Sequence, residues 1–243
     1  MKREIVEVVR NEKVGENIFL MELKGDFSAI KNPGEFVELE LPIHYLRRPF
    51  SVCRVHQNRL EILVKILGQG TKEMAEYPVG TRLDCLVGLG NGFDINKAQK
   101  PLLLAGGIGI APMLDLAERF LAKGIRPIIV YGAAKKEDLV LISELCRLGE
   151  VQFCTEDGSY GFKGNPIDYL KSHPLDFDYY YACGPQVFLK NLKEFNAKGC
   201  LSLEARMGCG FGACMGCSIK TTTGPKRVCK EGPVFEASEV LFE

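Results

Sequence analysis

The segment PLLLAGGIGIAP, residues 101–112, decides the fold of the chain because the sequence pattern changes here. Residues 101–105 form a continuous apolar run, which is typical of a strand covered on both faces. A turn with three glycines follows, and a helical pattern then covers residues 112–123. The segment therefore predicts a strand, a tight turn and a helix, which together are the repeating unit of a parallel sheet.

The same alternation continues to about residue 199. Strands are predicted at residues 127–131, 151–155 and 178–183, and helices at residues 137–148 and 186–197. Strands that alternate with helices build a doubly wound parallel sheet, which binds nucleotides outside the carboxyl ends of its strands. We therefore expect an α/β nucleotide-binding domain at residues 97–199.

Residues 1–96 have a different, period-two pattern. Six short strands are predicted, near residues 5–9, 18–23, 35–41, 50–56, 60–67 and 82–87. Residues 35–41, EFVELEL, alternate acidic with apolar side chains, so the glutamates are expected to face water. Short strands separated by turn signals predict an antiparallel β-barrel for this first domain.

Two turns lie where the α/β domain would bind a dinucleotide. The first is glycine-rich and contains Gly106, Gly107 and Gly109. The second ends a later strand with Cys183, Gly184 and Pro185. Glycines let a dinucleotide approach the backbone in front of a helix, and a cysteine at this edge is well placed against a nicotinamide ring. The structural alternatives are a tight strand–helix turn and a buried cysteine before a turn.

Two short motifs in the barrel predict a flavin site. Arg48, Pro49, Phe50 and Ser51 begin a strand, where a guanidinium beside a hydroxyl suits a diphosphate and an adjoining flavin ring. Gly70 and Thr71 open a short helical pattern that offers a second anion contact. Taken alone, the first motif could be a solvated turn and the second a plain helix entry. Their occurrence together, upstream of a nucleotide-binding sheet, favours FAD.

Four cysteines crowd one segment of the tail: Cys209, Cys214, Cys217 and Cys229. Their C-x4-C-x2-C spacing with a distant fourth member is that of plant-type 2Fe–2S ligation. The glycines beside and between them, Gly208, Gly210, Gly212 and Gly216, are expected to take positive φ and to point amides at the cluster. A zinc site and a disulfide are the alternatives. Residues 200–243 have too little apolar content for a core of their own, so they predict a small lobe organised by metal.

The overall composition narrows the classes of function. The remaining six of the ten cysteines lie mostly in apolar runs and are expected to be small buried side chains: Cys53, Cys85, Cys146, Cys154, Cys183 and Cys200. Lys plus Arg equal Asp plus Glu at 31 each, so no nucleic-acid or membrane partner is expected. The first 15 residues lack the apolar run of a signal peptide, and we expect a cytoplasmic protein.

The order of these motifs resembles the ferredoxin-NADP reductase superfamily, and within it the electron-transfer subunits of dihydroorotate dehydrogenase B. The matching runs are LRRPFSVC (46–53), GLGNGF (88–93), TEDGSYGFKG (155–164), EARMGCGFGACMGC (204–217) and VCKEGPVF (228–235). The resemblance implies FAD binding by Arg48, Pro49, Phe50, Ser51, Leu63, Val64, Lys65, Gly70 and Thr71. It also implies cluster ligation by the four cysteines of the tail, and NAD as the nucleotide. Lys135 and Lys136 nevertheless lie where a 2′-phosphate could bind.

The resemblance also implies a function. The chain would relay electrons from the FMN of a dihydroorotate dehydrogenase catalytic subunit, through 2Fe–2S and FAD, to NAD+ in pyrimidine biosynthesis. A heterotetramer with that subunit is expected, and no residue here resembles the base that would deprotonate dihydroorotate. The alternatives are an NAD(P)H-dependent reductase subunit serving a ferredoxin, a hydrogenase or a sulfite reductase, and a zinc-bound interaction module.

Overall fold

Six antiparallel strands close into a barrel in the computed structural model of the chain, which describes residues 1–242. The strands are β1 (Lys2–Gly15), β2 (Ile18–Lys24), β3 (Phe36–Leu39), β4 (Arg48–His56), β5 (Arg59–Lys65) and β6 (Arg82–Leu89), with α1 (Gln69–Ala75) between the last two. Their order around the barrel is β1-β2-β5-β4-β3-β6. Closure leaves no free strand edge, and the predicted antiparallel barrel is confirmed.

The glutamates in and just before β3 do not all face water as predicted. Glu35 and Glu38 are only 4% and 1% exposed, whereas Glu40 is exposed. The Glu35 carboxylate accepts a hydrogen bond of 3.1 Å from the backbone N–H of Lys31. Glu38 lies against Gly210, which belongs to the cysteine-rich tail. The prediction was wrong because alternation within one strand cannot reveal what a distant segment packs onto its outer face.

The second half of the chain forms a seven-stranded sheet of order β10-β9-β8-β7-β11-β12-β15. Its strands are β7 (Pro101–Gly106), β8 (Ile128–Ala133), β9 (Glu150–Thr155), β10 (Phe162–Lys163), β11 (Tyr179–Cys183), β12 (Gly199–Ser202) and β15 (Val234–Glu236). All neighbouring pairs are parallel except β12 with β15. The strand order reverses direction between β7 and β11, and a ligand crevice is expected at such a point.

Helices cover both faces of this sheet, as predicted for a doubly wound fold. They are α2 (Ala111–Ala122), α3 (Ile142–Leu148), α4 (Pro166–Ser172) and α5 (Gln186–Phe195). Leu103 shares a core with side chains of α2 and α3, whereas its neighbour Leu104 shares the opposite core with side chains of α4 and α5. Alternate residues of a strand point to opposite faces, so β7 is buried on both sides. None of the helices within residues 1–242 is long and apolar enough to span a membrane.

One predicted helix is shorter than the sequence pattern suggested. Residues 137–148 were expected to be helical, but α3 begins only at Ile142. Lys136–Asp138 forms a short 3-10 turn instead, and Leu141 has a left-handed φ of 59°. A left-handed residue cannot continue a right-handed α-helix. The helix therefore begins only after Leu141, although the helical pattern of the sequence begins at residue 137.

The tail is attached to the sheet by a strand of its own. β13 (Ser218–Thr221) and β14 (Gly224–Arg227) form a separate two-stranded sheet, whereas β15 pairs with β12. The Asn91 amide, just after the barrel, donates hydrogen bonds to the backbone oxygens of Glu231 (2.8 Å) and Val234 (2.9 Å). β12 itself crosses the boundary expected at residues 199 and 200. The division into domains 1–96, 97–199 and 200–243 stays a prediction.

Candidate functional site

One cavity lies where barrel, sheet and tail meet. It has a volume of about 460 Å³, which is within the range of cofactor pockets. Its walls come from β3, β4, β5 and the start of α1 in the barrel, and from Ile108 and Ala111 after β7. Residues 202–205 and Met207, from the end of β12 and the segment that leads to Cys209, complete the wall. All three parts of the chain therefore surround a single binding space.

Eight of the nine residues predicted for FAD line this cavity: Arg48, Pro49, Phe50, Ser51, Leu63, Lys65, Gly70 and Thr71. The ninth, Val64, is fully buried and packs in the core of the barrel. Successive side chains on a strand point to opposite faces, so Val64 points inward while its neighbours on β5 face the cavity. The barrel thus brings two motifs that are about 20 residues apart in sequence to one wall.

The Arg48 guanidinium fits a diphosphate at this wall. A Cβ added at Gly70 would lie 3.4 Å from Arg48 Nε, so the side chain lies directly over the backbone of the α1 turn. The guanidinium donates a hydrogen bond to the backbone oxygen of Leu46, and among residues 1–242 no carboxylate forms an ion pair with it. An arginine with free donors beside a glycine backbone is suited to bind phosphate oxygens.

The Thr71 hydroxyl is used to shape this turn. It accepts hydrogen bonds from the backbone N–H groups of Leu67 (2.9 Å) and Gly68 (3.2 Å), and it donates one to the Gly68 oxygen (3.1 Å). These bonds hold the Gly68–Gly70 backbone against Arg48. Thr71 therefore lines the cavity with its hydroxyl already engaged within the turn.

We expect Arg48→Ala to weaken the retention of FAD about tenfold to hundredfold. The reason is the loss of a charge-assisted hydrogen bond, which contributes about 1.5–3 kcal/mol. Flavin release on serial dilution, followed by fluorescence, measures the effect. The matched control is Arg59→Ala, because Arg59 lies on β5, pairs with Glu22 at 3.3 Å and does not line the cavity. Full flavin occupancy in the Arg48 variant under dilution would contradict the assignment.

Several residues that the sequence did not single out also line the flavin cavity. They include Phe36 from β3, Ser202 from β12, and Glu204, Ala205 and Met207 from the segment that follows. Glu204–Met207 belong to the run EARMGCGFGACMGC, so a sequence signal was present but pointed only to the cysteines. Their position shows that the chain entering the cysteine loop is also a wall of the flavin cavity.

A second cavity, of about 240 Å³, lies at the carboxyl edge of the parallel sheet. It is lined by Gly106 and Gly107 at the end of β7, by Gly132 and Ala133 at the end of β8, and by Pro185 after β11. This is the crevice that a doubly wound sheet offers to a dinucleotide. Lys65 and Ile108 line both cavities, so the cavity predicted for FAD and the one predicted for the dinucleotide adjoin.

The two predicted dinucleotide turns pack against each other through the backbones of Gly109 and Cys183. A Cβ added at Gly109 would lie 2.3 Å from the Cys183 backbone oxygen, and one at Gly184 would lie 3.0 Å from Gly106 Cα. Cys183 is 2% exposed and lines neither cavity. Burial raises the pKa of its thiol to about 12, which keeps it neutral and unreactive. A contact between this cysteine and a nicotinamide ring stays a prediction.

The four clustered cysteines form two pairs. The Cys217 and Cys229 sulfurs are 3.2 Å apart in the core of the tail. The Cys209 sulfur accepts N–H groups from Ala213 (3.2 Å) and Cys214 (3.4 Å) on the outer side. Burial opposes ionisation of Cys209, but hydrogen bonds from Cys214 and its neighbours outweigh it and lower the pKa of the thiol to about 6.

Two thiol pairs fit a two-iron cluster, because each iron of a 2Fe–2S centre takes two cysteine thiolates. Within residues 1–242, no group of three or more metal-binding side chains converges on one point. Of the other six cysteines, five are buried as predicted, and Cys146 is exposed on α3. The four cysteines of the tail therefore remain the predicted ligands.

The glycines of the cysteine loop differ from the expectation. Only Gly210 and Gly212 have positive φ, of 72° and 93°, and Met215 takes a positive φ of 59° in addition. Gly208 is closely approached instead, because an added Cβ would lie 3.3 Å from the Cys214 sulfur, whereas at Gly216 it would make an ordinary contact of 3.5 Å with the same atom. Positive φ was thus predicted at two glycines, Gly208 and Gly216, that do not have it.

Gly210 also contacts the barrel. A Cβ on Gly210 would lie 2.3 Å from Glu38 Cδ, so the buried carboxyl of β3 rests directly on the loop. Neither Glu38 oxygen has a hydrogen-bond partner among the described residues. Burial, aided by the Cys209 thiol and opposed by Arg47, raises the pKa of the Glu38 carboxyl to about 7. The contact fixes the position of the cysteine loop relative to the flavin strands.

Two adjoining cavities, one of them bordered by the segment that leads into a loop of paired cysteines, are the arrangement expected of an iron–sulfur flavoprotein reductase. Residues 204–241 match the family described as the iron-sulfur cluster binding domain of dihydroorotate dehydrogenase B. This match confirms the cluster-binding segment that the cysteine spacing predicted, and it favours the cluster over zinc.

The comparisons extend to the whole chain. The electron transfer subunit of dihydroorotate dehydrogenase B (NAD(+)) from Bacillus mycoides is 37% identical over 258 aligned residues, and that from a Geobacillus species is 39% identical over 256. In both cases all of each chain is covered. The chain belongs to the family of dihydroorotate dehydrogenase B electron transfer subunits.

Solved structures agree on the architecture. A chain of an NADH-dependent reduced ferredoxin-NADP oxidoreductase superposes with a TM-score of 0.89 at 27% identity, covering 97% of this chain and 89% of that one. Phthalate dioxygenase reductase superposes with a TM-score of 0.65 at 20% identity, covering 92% and 76%. The second likeness shows the fold alone, and it confirms the barrel and nucleotide-sheet architecture.

Proposed function

We propose that the chain is the electron-transfer subunit of an NAD-dependent dihydroorotate dehydrogenase, holding FAD and a 2Fe–2S cluster and using NAD+ as the nucleotide. One observation carries the proposal: a single cavity borders the dinucleotide crevice at Lys65 and Ile108, and its wall continues through Met207 to Cys209. When bound, FAD supplies the conversion between two-electron nicotinamide chemistry and one-electron iron–sulfur chemistry.

The task of the protein's own residues in this function is positional. Arg48 and the Gly68–Gly70 backbone would hold a diphosphate at the barrel wall, and Phe36 and Leu63 would exclude water from the cavity. The glycines after β7 leave room for a dinucleotide at the adjoining edge. The cysteine pairs would hold the irons beyond Met207. Proximity of this kind is what electron transfer requires of a scaffold.

We further propose an FMN-bearing dihydroorotate dehydrogenase catalytic subunit as the partner, in a heterotetramer. Among the apolar residues of the tail, Phe211 and Met215 are 42% and 52% exposed, and both lie between ligand cysteines. Leu241 is also exposed, whereas Val234 and Phe235 are buried. An apolar patch beside the cluster supports a subunit contact there, since stable interfaces have dehydrated apolar centres.

We expect the isolated chain, loaded with FAD and cluster, to oxidise NADH with artificial acceptors and to leave dihydroorotate untouched. The reason is that its cavities serve a flavin and a dinucleotide, and dihydroorotate would require the active site of the partner. Absorbance at the NADH band and a coupled orotate assay measure the two activities. Dihydroorotate oxidation by this polypeptide alone would overturn the division of labour.

We expect Phe211→Asp combined with Met215→Asp to weaken association with the catalytic subunit by about a hundredfold or more, because two apolar anchors are replaced by charges in a desolvated contact. Calorimetric titration with the partner measures the change, and the cluster spectrum verifies that the loop is intact. The control is Val187→Asp, since Val187 is 71% exposed on α5. Equal affinities in all three proteins would place the contact elsewhere.

A second candidate is a reductase subunit that serves a ferredoxin, a hydrogenase or a sulfite reductase. This candidate is supported by the superposition with the ferredoxin-NADP oxidoreductase chain, which covers almost the full length of the protein. The assay that separates the two uses reduced ferredoxin in place of the catalytic subunit. Faster NAD+ reduction from ferredoxin than from the dihydroorotate dehydrogenase complex would select this candidate.

A further inference from the structure

The half-buried side chain of Arg227 is anchored beside the cysteine loop. Arg227 is the last residue of β14 and stands two positions before Cys229. Its Nε donates a hydrogen bond of 3.0 Å to one carboxylate oxygen of Glu231, and its Nη2 pairs with the other oxygen. The same carboxylate accepts the backbone N–H of Arg227 at 2.7 Å. A two-point contact of this kind fixes the plane of the guanidinium, and the hydrogen bond from Arg227 lowers the pKa of Glu231 to about 2, which keeps the anchor charged.

The remaining arm of the guanidinium reaches the loop between the first two cysteines of the tail. Arg227 Nη1 donates a hydrogen bond of 2.6 Å to the backbone oxygen of Gly212. The peptide group that carries this oxygen also carries the N–H of Ala213, which donates to the Cys209 sulfur at 3.2 Å. The C=O and N–H of a planar trans peptide point in opposite directions. A bond that holds the oxygen therefore also aims the N–H at the sulfur.

Gly212 lies between the two thiol pairs. Burial raises the pKa of the Cys229 thiol to about 12, and a hydrogen bond from the backbone N–H of Gly212 acts against this rise. A Cβ added at Gly212 would lie 2.9 Å from Lys230 Cβ and 3.2 Å from Arg227 Nη1. The segment that follows β14 thus packs closely on the loop at this point. A change at Arg227 therefore acts on a residue whose two peptide groups face sulfur atoms of both pairs.

We propose that Arg227, fixed by Glu231, is a positioning residue that orients the Gly212–Ala213 peptide and thereby raises the reduction potential of the cluster. The potential of an iron–sulfur cluster depends on its net charge and on the hydrogen bonds to its sulfurs. Reduction adds one negative charge, so a hydrogen bond to a ligand sulfur stabilises the reduced cluster more than the oxidised one. The inference rests on the proposed function and adds the residues that set how readily the cluster accepts an electron.

Positioning and simple charge predict opposite results at Glu231. If Arg227 acted only through its charge, loss of the Glu231 carboxylate would remove negative charge from the surroundings of the cluster, and the potential would rise. If Arg227 acts by holding the peptide, loss of its anchor loosens the Ala213 N–H, and the potential falls. The direction of the shift therefore distinguishes the two effects.

The test measures the reduction potential of the cluster in the FAD-loaded protein and in its Arg227→Gln and Glu231→Ala variants. Potentiometric titration followed by electron paramagnetic resonance gives this value without turnover. We expect both variants to keep about two irons per chain. At a fixed potential, the ratio of reduced to oxidised cluster should fall about tenfold in Arg227→Gln, which corresponds to about 59 mV for one electron. A fall in the same direction, of about threefold, is expected in Glu231→Ala.

The matched control is Lys226→Gln. Lys226 precedes Arg227 on β14 and pairs with Glu239, and successive side chains on a strand point to opposite faces. The control removes the same charge from the same strand and should leave the potential unchanged.

An unchanged potential in Arg227→Gln, an equal shift in the Lys226 control, or a raised potential in Glu231→Ala overturns the inference alone. If Arg227→Gln loses its cluster, the direction of the shift in Glu231→Ala decides. Loss of the cluster from both variants shows a purely structural role and also overturns the inference. A wild-type protein that binds no 2Fe–2S cluster overturns the proposed function as well.

Discussion

The Cys217→Ser variant is expected to contain no 2Fe–2S cluster while it keeps its FAD. Cys217 is 2% exposed and its sulfur lies 3.2 Å from that of Cys229. Serine would leave one iron with a single thiolate in a buried position, so the whole centre should be lost. Iron and sulfide analysis should fall from about two irons per chain to near zero. Flavin absorbance should persist, because Arg48, Ser51 and the α1 turn remain in place.

The control for this variant is Cys146→Ser. Cys146 is exposed on α3, far from the tail in sequence, and its loss should change neither iron nor flavin content. Zinc in the wild-type protein, about four irons per chain, or an intact cluster in Cys217→Ser would each refute the assignment of the ligands.

Gly109→Ala is expected to lower the stability of the protein by about 3 kcal/mol. The added Cβ would lie 2.3 Å from the Cys183 oxygen and 2.7 Å from the Gly184 nitrogen. These are backbone atoms of two packed strand ends, so neither partner can rotate away. The midpoint of thermal unfolding should fall by roughly 6–12 °C, as follows for a chain of this size. Because the two dinucleotide turns would be forced apart, the KM for NADH should rise in parallel.

The comparison that isolates packing is Gly107→Ala in the same turn. Nothing lies within 4 Å of a Cβ at Gly107, but its φ of 54° is unfavourable for alanine. Only the cost of placing alanine at a left-handed φ, about 1 kcal/mol, applies there. The midpoint of thermal unfolding is therefore expected to fall by roughly 2–4 °C. Equal falls in the two variants would show that backbone strain, rather than contact with Cys183, governs this turn.

Local patterns were sufficient to predict most of the architecture. The glycines after β7 and the spacing of the tail cysteines depend on chemistry within a few residues, and such signals survive without tertiary information. The eight predicted FAD residues that line the cavity of about 460 Å³ come from motifs that are short and contiguous, so the sequence could group them in the same way. Val64 shows the limit of motif transfer, because a run of three residues on a strand cannot place all its side chains on one face.

The features that the sequence did not reveal all depend on distant partners. Glu38 is buried because a loop more than 170 positions later covers it. β15 joins the main sheet through pairing with β12, and its three residues have no strand signature of their own. Strand order and loop packing are properties of the folded chain that periodicity does not encode.

The contact between Glu38 and Gly210 constrains how the sequence of such a protein can diverge. The Cβ of any side chain at position 210 would lie 2.3 Å from the carboxyl carbon of Glu38, so the two groups would clash. Shortening residue 38 removes that obstacle but leaves the loop residue at a φ of 72°, which asparagine tolerates better than most residues. The two positions are therefore energetically coupled: a shorter side chain at position 38 makes room for one at position 210, whereas the reverse order passes through an intermediate that contains the clash.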